Sequence, residues 1–315
     1  MKKYLFYFFI SIGIFLLDIL LFNRTLWKSS FSCNISTNCN FFTTLQFATP
    51  LMLLGISYIV SIKSNLFNLG QEGQMYLGMI TAAYLGYWVS LPDNVHSIVI
   101  AIGAIIVGGI YGWFAGWLKI RLGINEIIST IILSEIIINF PFQNFIKIPF
   151  FARIENSAKF LVFAPGSKFG TGFVIAVSAV VLVYIYLWKS GKGYEQRMSG
   201  EAPRFAFFGG IKSEKAALRG MFISGGLAGL AGAIEVMGVH YRVVSLPIVF
   251  DGLLISYLSL LNPIILMFNS VLIAGLRNGF QLSFQYNLGI NREIGSIFLI
   301  IVMLLIVKNN YFKSK

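Results

Sequence analysis

What most constrains this chain is a succession of apolar runs long enough to cross a lipid bilayer. A helix rises about 1.5 Å per residue, so crossing the hydrocarbon core takes roughly 17–25 mostly apolar residues. The runs Tyr4–Phe22, Leu45–Ile62, Gln74–Leu91, Ser97–Leu118, Ile127–Phe142, Gly172–Trp188, Gly220–Gly238 and Ile294–Val307 are of this kind. Leu246–Leu276 is too long for one span, and Asn262-Pro263 interrupts it, so it reads as two segments. The total is then about ten spans. The runs are continuously apolar, not alternating, which favours helices over a β-barrel. Only 11% of the residues are charged and 57% are hydrophobic, too few polar side chains to cover a water-facing surface. No long polar stretch interrupts the series. The sequence predicts an all-α, polytopic integral membrane protein, with residues 1–315 forming a single transmembrane domain.

Lys2 and Lys3 precede the first run as they would in a secretion signal, but the run is longer than a signal core. No small-residue cleavage site follows it, so a retained first helix is expected. Basic residues orient the bundle. With the N-terminus in the cytoplasm, Lys2, Lys3, Lys63, Lys119, Arg121, Lys189, Lys192, Arg197, Arg204, Lys212, Lys215, Arg219, Lys308, Lys313 and Lys315 fall inside. Arg24, Lys28, Lys147, Arg153, Lys159, Lys168, Arg242, Arg277 and Arg292 fall outside. The bias of fifteen to nine puts both termini in the cytoplasm of a multi-pass protein of the cell membrane. The net charge of +12 is then mainly topological, with some attraction to anionic lipid. Scattered loops do not form the contiguous basic face that nucleic acid requires.

Cys33 and Cys39 fall in the first external loop, where a disulfide and two free thiols are both open readings. The histidines, His96 and His240, have no metal-ligand spacing, and no nucleophile elbow is present. Ser190-Gly191-Lys192-Gly193 lacks the leading Gly and the closing Ser/Thr of a P-loop. No cofactor is therefore expected in this chain, and any ATP and magnesium belong to another subunit. Small residues recur at every fourth position in Ala104, Gly108, Gly112, Gly116 and in Gly220, Ser224, Ala228, Gly232. Such stripes let helix backbones approach closely in lipid, and tight packing inside the bundle is the expected use. Acidic groups within apolar segments are costly. Asp18, Glu135, Glu235 and Asp251 lie within runs, and Glu72 and Glu126 lie near segment ends. Asp18 is expected to pair structurally. Asn68, Glu72, Gln74, Asn125, Glu126, Glu235 and Asp251 form the candidate transport pathway.

Four blocks resemble one family. Phe67–Gln74 reads F-N-L-G-Q-E-G-Q, and Gly123–Leu133 reads G-I-N-E-I-I-S-T-I-I-L. Ser224–Gly238 reads S-G-G-L-A-G-L-A-G-A-I-E-V-M-G. Gly193–Ile211 carries Gly193, Glu195, Arg197, Gly200, Glu201, Pro203, Ala206, Gly210 and Ile211 at motif positions. Together these are similar to the nucleoside and simple-sugar ABC permeases, within the wider superfamily of branched-chain amino acid and ribose permeases. Met198, Ser199, Ala202 and Ser134 depart from the usual residues. The resemblance implies a type-II-importer-like bundle that passes a nucleoside or simple sugar. It further implies a cytoplasmic ABC ATPase, a paralogous second permease and an external solute-binding lipoprotein as partners, with lipid around them.

The same resemblance makes Gly193–Ile211 the ATPase-coupling segment, and its residue types agree. Pro203 can open a short helix over Arg204–Phe208, and Gly209-Gly210 can stop it. Phe205, Phe207 and Phe208 make that helix too apolar for a free loop and suited to a partner's groove. A helix lying on lipid is the other reading. For the whole chain, an ion-coupled secondary transporter or channel and a membrane-embedded transferase or hydrolase are the alternatives.

Overall fold

The computed structural model describes residues 33–34, 38–140, 154, 156–163, 168–244, 246 and 248–285. The first and last apolar runs, Asp18 and both termini lie outside these residues, as do the side chains of Cys33 and Cys39. A two-residue ladder, β1 (Cys33–Asn34) with β2 (Asn38–Cys39), sets Cys33 opposite Cys39. Among the described residues every other regular element is helical, in keeping with the all-α expectation.

Among the described residues, eight of the expected segments form helices. They are α1 (Asn40–Ile62), α2 (Gln71–Trp88), α3 (Asp93–Leu122), α4 (Glu126–Asn139), α5 (Thr171–Lys189), α8 (Ser213–Glu235), α9 (Val249–Leu258) and α10 (Pro263–Gln285). Between α5 and α8 lie two that hydropathy does not announce, α6 (Gly191–Glu201) and α7 (Pro203–Phe208). Among the described residues, four helical stretches are long and apolar enough to cross a membrane: α1, most of α3, α5, and α8 with its π-helical extension Val236–His240. The chain is a multi-pass membrane protein.

Local chemistry sets the boundaries. Lys119 and Arg121 occupy the last turn of α3, where cations complement the helix dipole, and Gly123 at φ 68° ends it. Asn125 caps α4, its Oδ1 accepting from the Ile127 amide at 3.0 Å. That helix closes at Asn139, earlier than the run to Phe142 suggests, because Phe140 precedes Pro141 and is held extended. The break at Asn262-Pro263 is where the sequence put it. Leu260 and Leu261 turn through φ 51° and 56°, and Asn262 Oδ1 accepts from the Ile264 amide to start α10. Arg277, read as a loop residue, instead lies inside α10: an apolar run tolerates one charge when a partner faces it.

Two helices are central. The most apolar windows of α1 and α8 are 83% buried, against 33% for α3 and α5, whose isoleucine- and valine-rich faces point outward. Packing exchanges partners between the two halves of the chain: α8 rests on α2 and α3, and α1 rests on α9 and α10. Glycines make this possible. A Cβ on Gly108 would stand 2.5 Å from the Gly225 carbonyl oxygen, and one on Gly112 2.5 Å from that of Met221. On the other side, Gly252 of α9 sits against the Leu54 side chain. The small-residue stripes are therefore contact lines between helix backbones.

Each central helix is followed by chain that runs back without helix. After α1, residues 66–69 have no regular structure, and Asn68 reaches Ser224 near the middle of α8. After the π-helical turn, Val243, Val244 and Leu246 run irregularly to α9. Backbone left unpaired inside a bundle must be satisfied by side chains, and three amides at and just after the first stretch are satisfied in this way. The amides of Leu69, Gly70 and Gly73 donate to Thr130 Oγ1, Asn68 Oδ1 and Ser134 Oγ respectively.

Candidate functional site: a coupling surface and an intramembrane polar network

The Gly193–Ile211 segment folds as two short helices with opposite surfaces. Ser190 caps α6, its Oγ accepting from the Gly193 amide at 3.0 Å. Gly193 packs against the Tyr186 and Leu187 backbone, and Gly200 against that of Lys63. Glu195 pairs with Arg219 at 2.9 Å and Glu201 with Lys63 at 2.5 Å. Arg197 donates to the Leu187 carbonyl at 2.9 Å and lies over the Trp188 ring. These motif residues hold the segment to the bundle.

The outward surface comes from α7. Pro203 at its first turn and Gly210 at φ 73° bound six residues, with the Ile211 amide donating to the Ala206 carbonyl at 2.9 Å. Only Ala206 is buried. Phe205, Phe207 and Phe208 are 64%, 74% and 87% exposed, and the last two rings meet edge to face at 5.8 Å. Three exposed aromatics on one turn, beside Arg204, Lys212 and Lys215, make an apolar knob in a basic setting.

The intramembrane candidates separate by geometry. Asn68 and Gln74 are buried and form a closed amide pair, Asn68 Nδ2 donating to Gln74 Oε1 at 2.9 Å and Gln74 Nε2 to Asn68 Oδ1 at 3.1 Å. Asn68 also donates to Ser224 Oγ, which lies 2.9 Å from Ser57 Oγ. This cluster ties the irregular stretch after α1 to both central helices. Glu72, two residues before Gln74, opens instead onto a cleft lined by Met75, Tyr76, Met79, Ile138, Val244 and Leu246. Chain from both halves meets there. Asp251 pairs with Arg277 at 2.6 Å at the start of α9. Glu235 is buried beside His240 at 3.4 Å and lines a second recess with Gln46, Thr49 and Lys168. Glu126 pairs with Lys119 at 2.9 Å, so the Asn125-Glu126 corner joins α3 to α4. Glu135 is exposed on α4 and accepts from Asn139 at 3.0 Å.

Sequence reasoning overlooked Arg277, Ser57, Ser224, Ser134 and Thr130 as members of these networks. A Ser or Thr in an apolar run carries little signal alone, because its hydroxyl can bond back to its own helix. Among the described residues, no group of three or more His, Cys, Asp or Glu is placed to hold a metal ion.

Helices interrupted by irregular chain beside a cleft, in a multi-pass bundle with an exposed aromatic turn, suit a membrane transport subunit. The chain belongs to the family described as branched-chain amino acid transport system, permease component, whose model matches residues 40–307. It is similar to the guanosine ABC transporter permease NupP of Bacillus subtilis, at 27% identity over 84% of this chain and 80% of that one. The nucleoside ABC transporter permease NupB of Lactococcus lactis is 29% identical, over 75% of this chain and 71% of its own. The glucose ABC transporter permease TsgB13 of Haloferax volcanii is 28% identical, over 62% and 56%. No solved structure matches the chain.

Proposed function

We propose that this chain is the membrane-spanning subunit of an ATP-driven importer whose solute is a nucleoside, with a simple sugar as the neighbouring class. The relatives named guanosine and nucleoside ABC transporter permeases support the nucleoside, since they match more of this chain than the glucose permease does. The observation that carries the coupling to ATP is the exposed aromatic turn Phe205–Phe208, held on the bundle by α6. A cytoplasmic ATPase docks there and binds the ATP and magnesium. An external solute-binding lipoprotein delivers the solute, and a paralogous permease completes the pathway. The bundle lies with its α6–α7 end and both termini in the cytoplasm.

The direct test is uptake by proteoliposomes holding the permeases, their ATPase and the binding protein. Guanosine accumulation that needs ATP and persists without an ion gradient is the expected result; accumulation that follows an ion gradient alone establishes a secondary transporter instead. Orientation has its own measurement. In a background lacking Cys33 and Cys39, Lys192→Cys and Lys212→Cys are expected to resist an impermeant thiol reagent in intact cells, while Lys159→Cys labels. Labelling of the first two from outside reverses the bundle.

Glu72 is assigned to the pathway because it faces the cleft between the two halves. Glu72→Gln keeps the shape and removes the charge. Uptake is expected to fall by about tenfold, the scale of one lost charge-assisted contact, with ATPase assembly unchanged. A variant that fails to accumulate in the membrane makes Glu72 a packing partner and withdraws the assignment.

A further inference from the structure

Gln196 has no assigned role, yet it is the most completely engaged polar side chain of the coupling segment. It is 0% exposed. Its Nε2 donates to the Val60 carbonyl at 2.9 Å and to Ser64 Oγ at 2.8 Å, and its Oε1 accepts from the Tyr186 hydroxyl at 2.7 Å. One side chain thus joins α6 to α5, to the last turn of α1 and to the first residues of the stretch that turns back into the bundle. On the remaining side α8 closes over it, since a Cβ on Gly220 would stand 2.9 Å from Gln196 Nε2. Of the side chains of similar length, only an amide offers two donors and an acceptor together without a charge.

What lies beyond Ser64 gives this strut a consequence. Residues 66–69 run without regular structure to the Asn68–Gln74 amide pair, and Glu72 follows on the cleft. The far end of α6 grips the same stretch, through Glu201 on Lys63 and Gly200 against the Lys63 backbone. A helix attached at its middle and at its C-terminal end to the chain that follows α1 moves that chain when it moves. We infer that Gln196 is a transmission residue: it passes displacement of α6–α7 to residues 64–70 and so to the pathway acid Glu72. The inference rests on the reading of α7 as the ATPase docking site and adds the route by which docking acts. A contiguous bonded path is a geometric reason for coupling, and a coupling measurement decides it.

The measurement uses the assembled importer with Leu69→Cys as reporter, in the background lacking Cys33 and Cys39. Its maleimide labelling rate is compared without nucleotide and after trapping with ATP, magnesium and vanadate. The parent is expected to show a nucleotide-dependent rate. Gln196→Met preserves length and removes all three hydrogen bonds. It is expected to copurify with ATPase and hydrolyse ATP at parental rates while its nucleotide-dependent change shrinks by about tenfold, within the range typical of site-to-site coupling. Should Gln196→Met fail to accumulate, Ser64→Ala removes one acceptor with little loss of volume, and a several-fold smaller response with hydrolysis intact is expected there. A parent whose labelling ignores nucleotide, a variant whose response stays parental, or assembly, hydrolysis and response falling together would each overturn the inference. Phe207→Ala with Phe208→Ala in the same assay reads the docking assignment separately. If that pair keeps its ATPase, docking at α7 fails on its own, whatever Gln196→Met shows.

Discussion

The permease carrying Phe207→Ala and Phe208→Ala is expected to insert and fold normally, to lose ATP-dependent uptake and to copurify poorly with its ATPase. The two rings are 74% and 87% exposed, so the bundle does not depend on them for its own packing. In a partner's groove they become buried anchors, each worth about 2 kcal/mol or more. At about 1.4 kcal/mol per decade, losing both weakens association by well over tenfold. Arg197, Glu195 and Glu201 hold the underlying helix through contacts that the double variant leaves untouched. Uptake and copurification that both stay at wild-type levels would remove α7 from the coupling path. Normal copurification with altered membrane association would make the turn a lipid-facing helix instead.

Gly108→Val is expected to abolish most accumulation of folded protein, the larger effect on stability. Its Cβ alone would stand 2.5 Å from the Gly225 carbonyl oxygen and 3.0 Å from the Gly229 Cα. Both are backbone atoms of a central helix, so no rotamer change relieves them. Overpacking in a dense interior costs about 1–3 kcal/mol even where side chains can adjust. Here α3 and α8 must separate along their contact line, against a total stability of about 5–15 kcal/mol. Gly191→Ala is the matched control, because nothing lies within 4 Å of its added Cβ. Monodisperse yield after detergent extraction and the midpoint of thermal unfolding distinguish the two. A Gly108→Val protein that matches the control on both would mean that the two helices do not meet as described.

The helical class was legible in the sequence because lipid leaves few options: backbone groups must pair within the segment, and an apolar run of sufficient length does so only as a helix. The break before Pro263, the short helix opened by Pro203 and the small-residue stripes were legible for similar reasons. Proline lacks a donor, and glycine allows backbones to touch, whatever the remainder of the chain does. The helix α6 was hidden because its polar residues have no apolar period, and what stabilises it is contact with the neighbouring Leu187 and with Lys63 and Arg219 from other parts of the chain.

The candidate site divides in the same way. Glu72, Asp251 and Glu235 stand out in sequence as charges where lipid would reject them. Their partners do not. Arg277 lies 26 positions from Asp251 and meets it only because α9 and α10 fold against each other. Asn68 and Gln74 are close in sequence, but their mutual pairing and the bond to Ser224 require the chain after α1 to turn back into the bundle. By itself the sequence determined which segments leave water, since transfer from water is a property of composition summed over a span. Only the tertiary structure decided which polar groups close on one another and which, like Glu72, are left facing a cleft. A buried hydrogen bond depends on the position and direction of both partners, and for residues far apart in the chain both are set by helix packing.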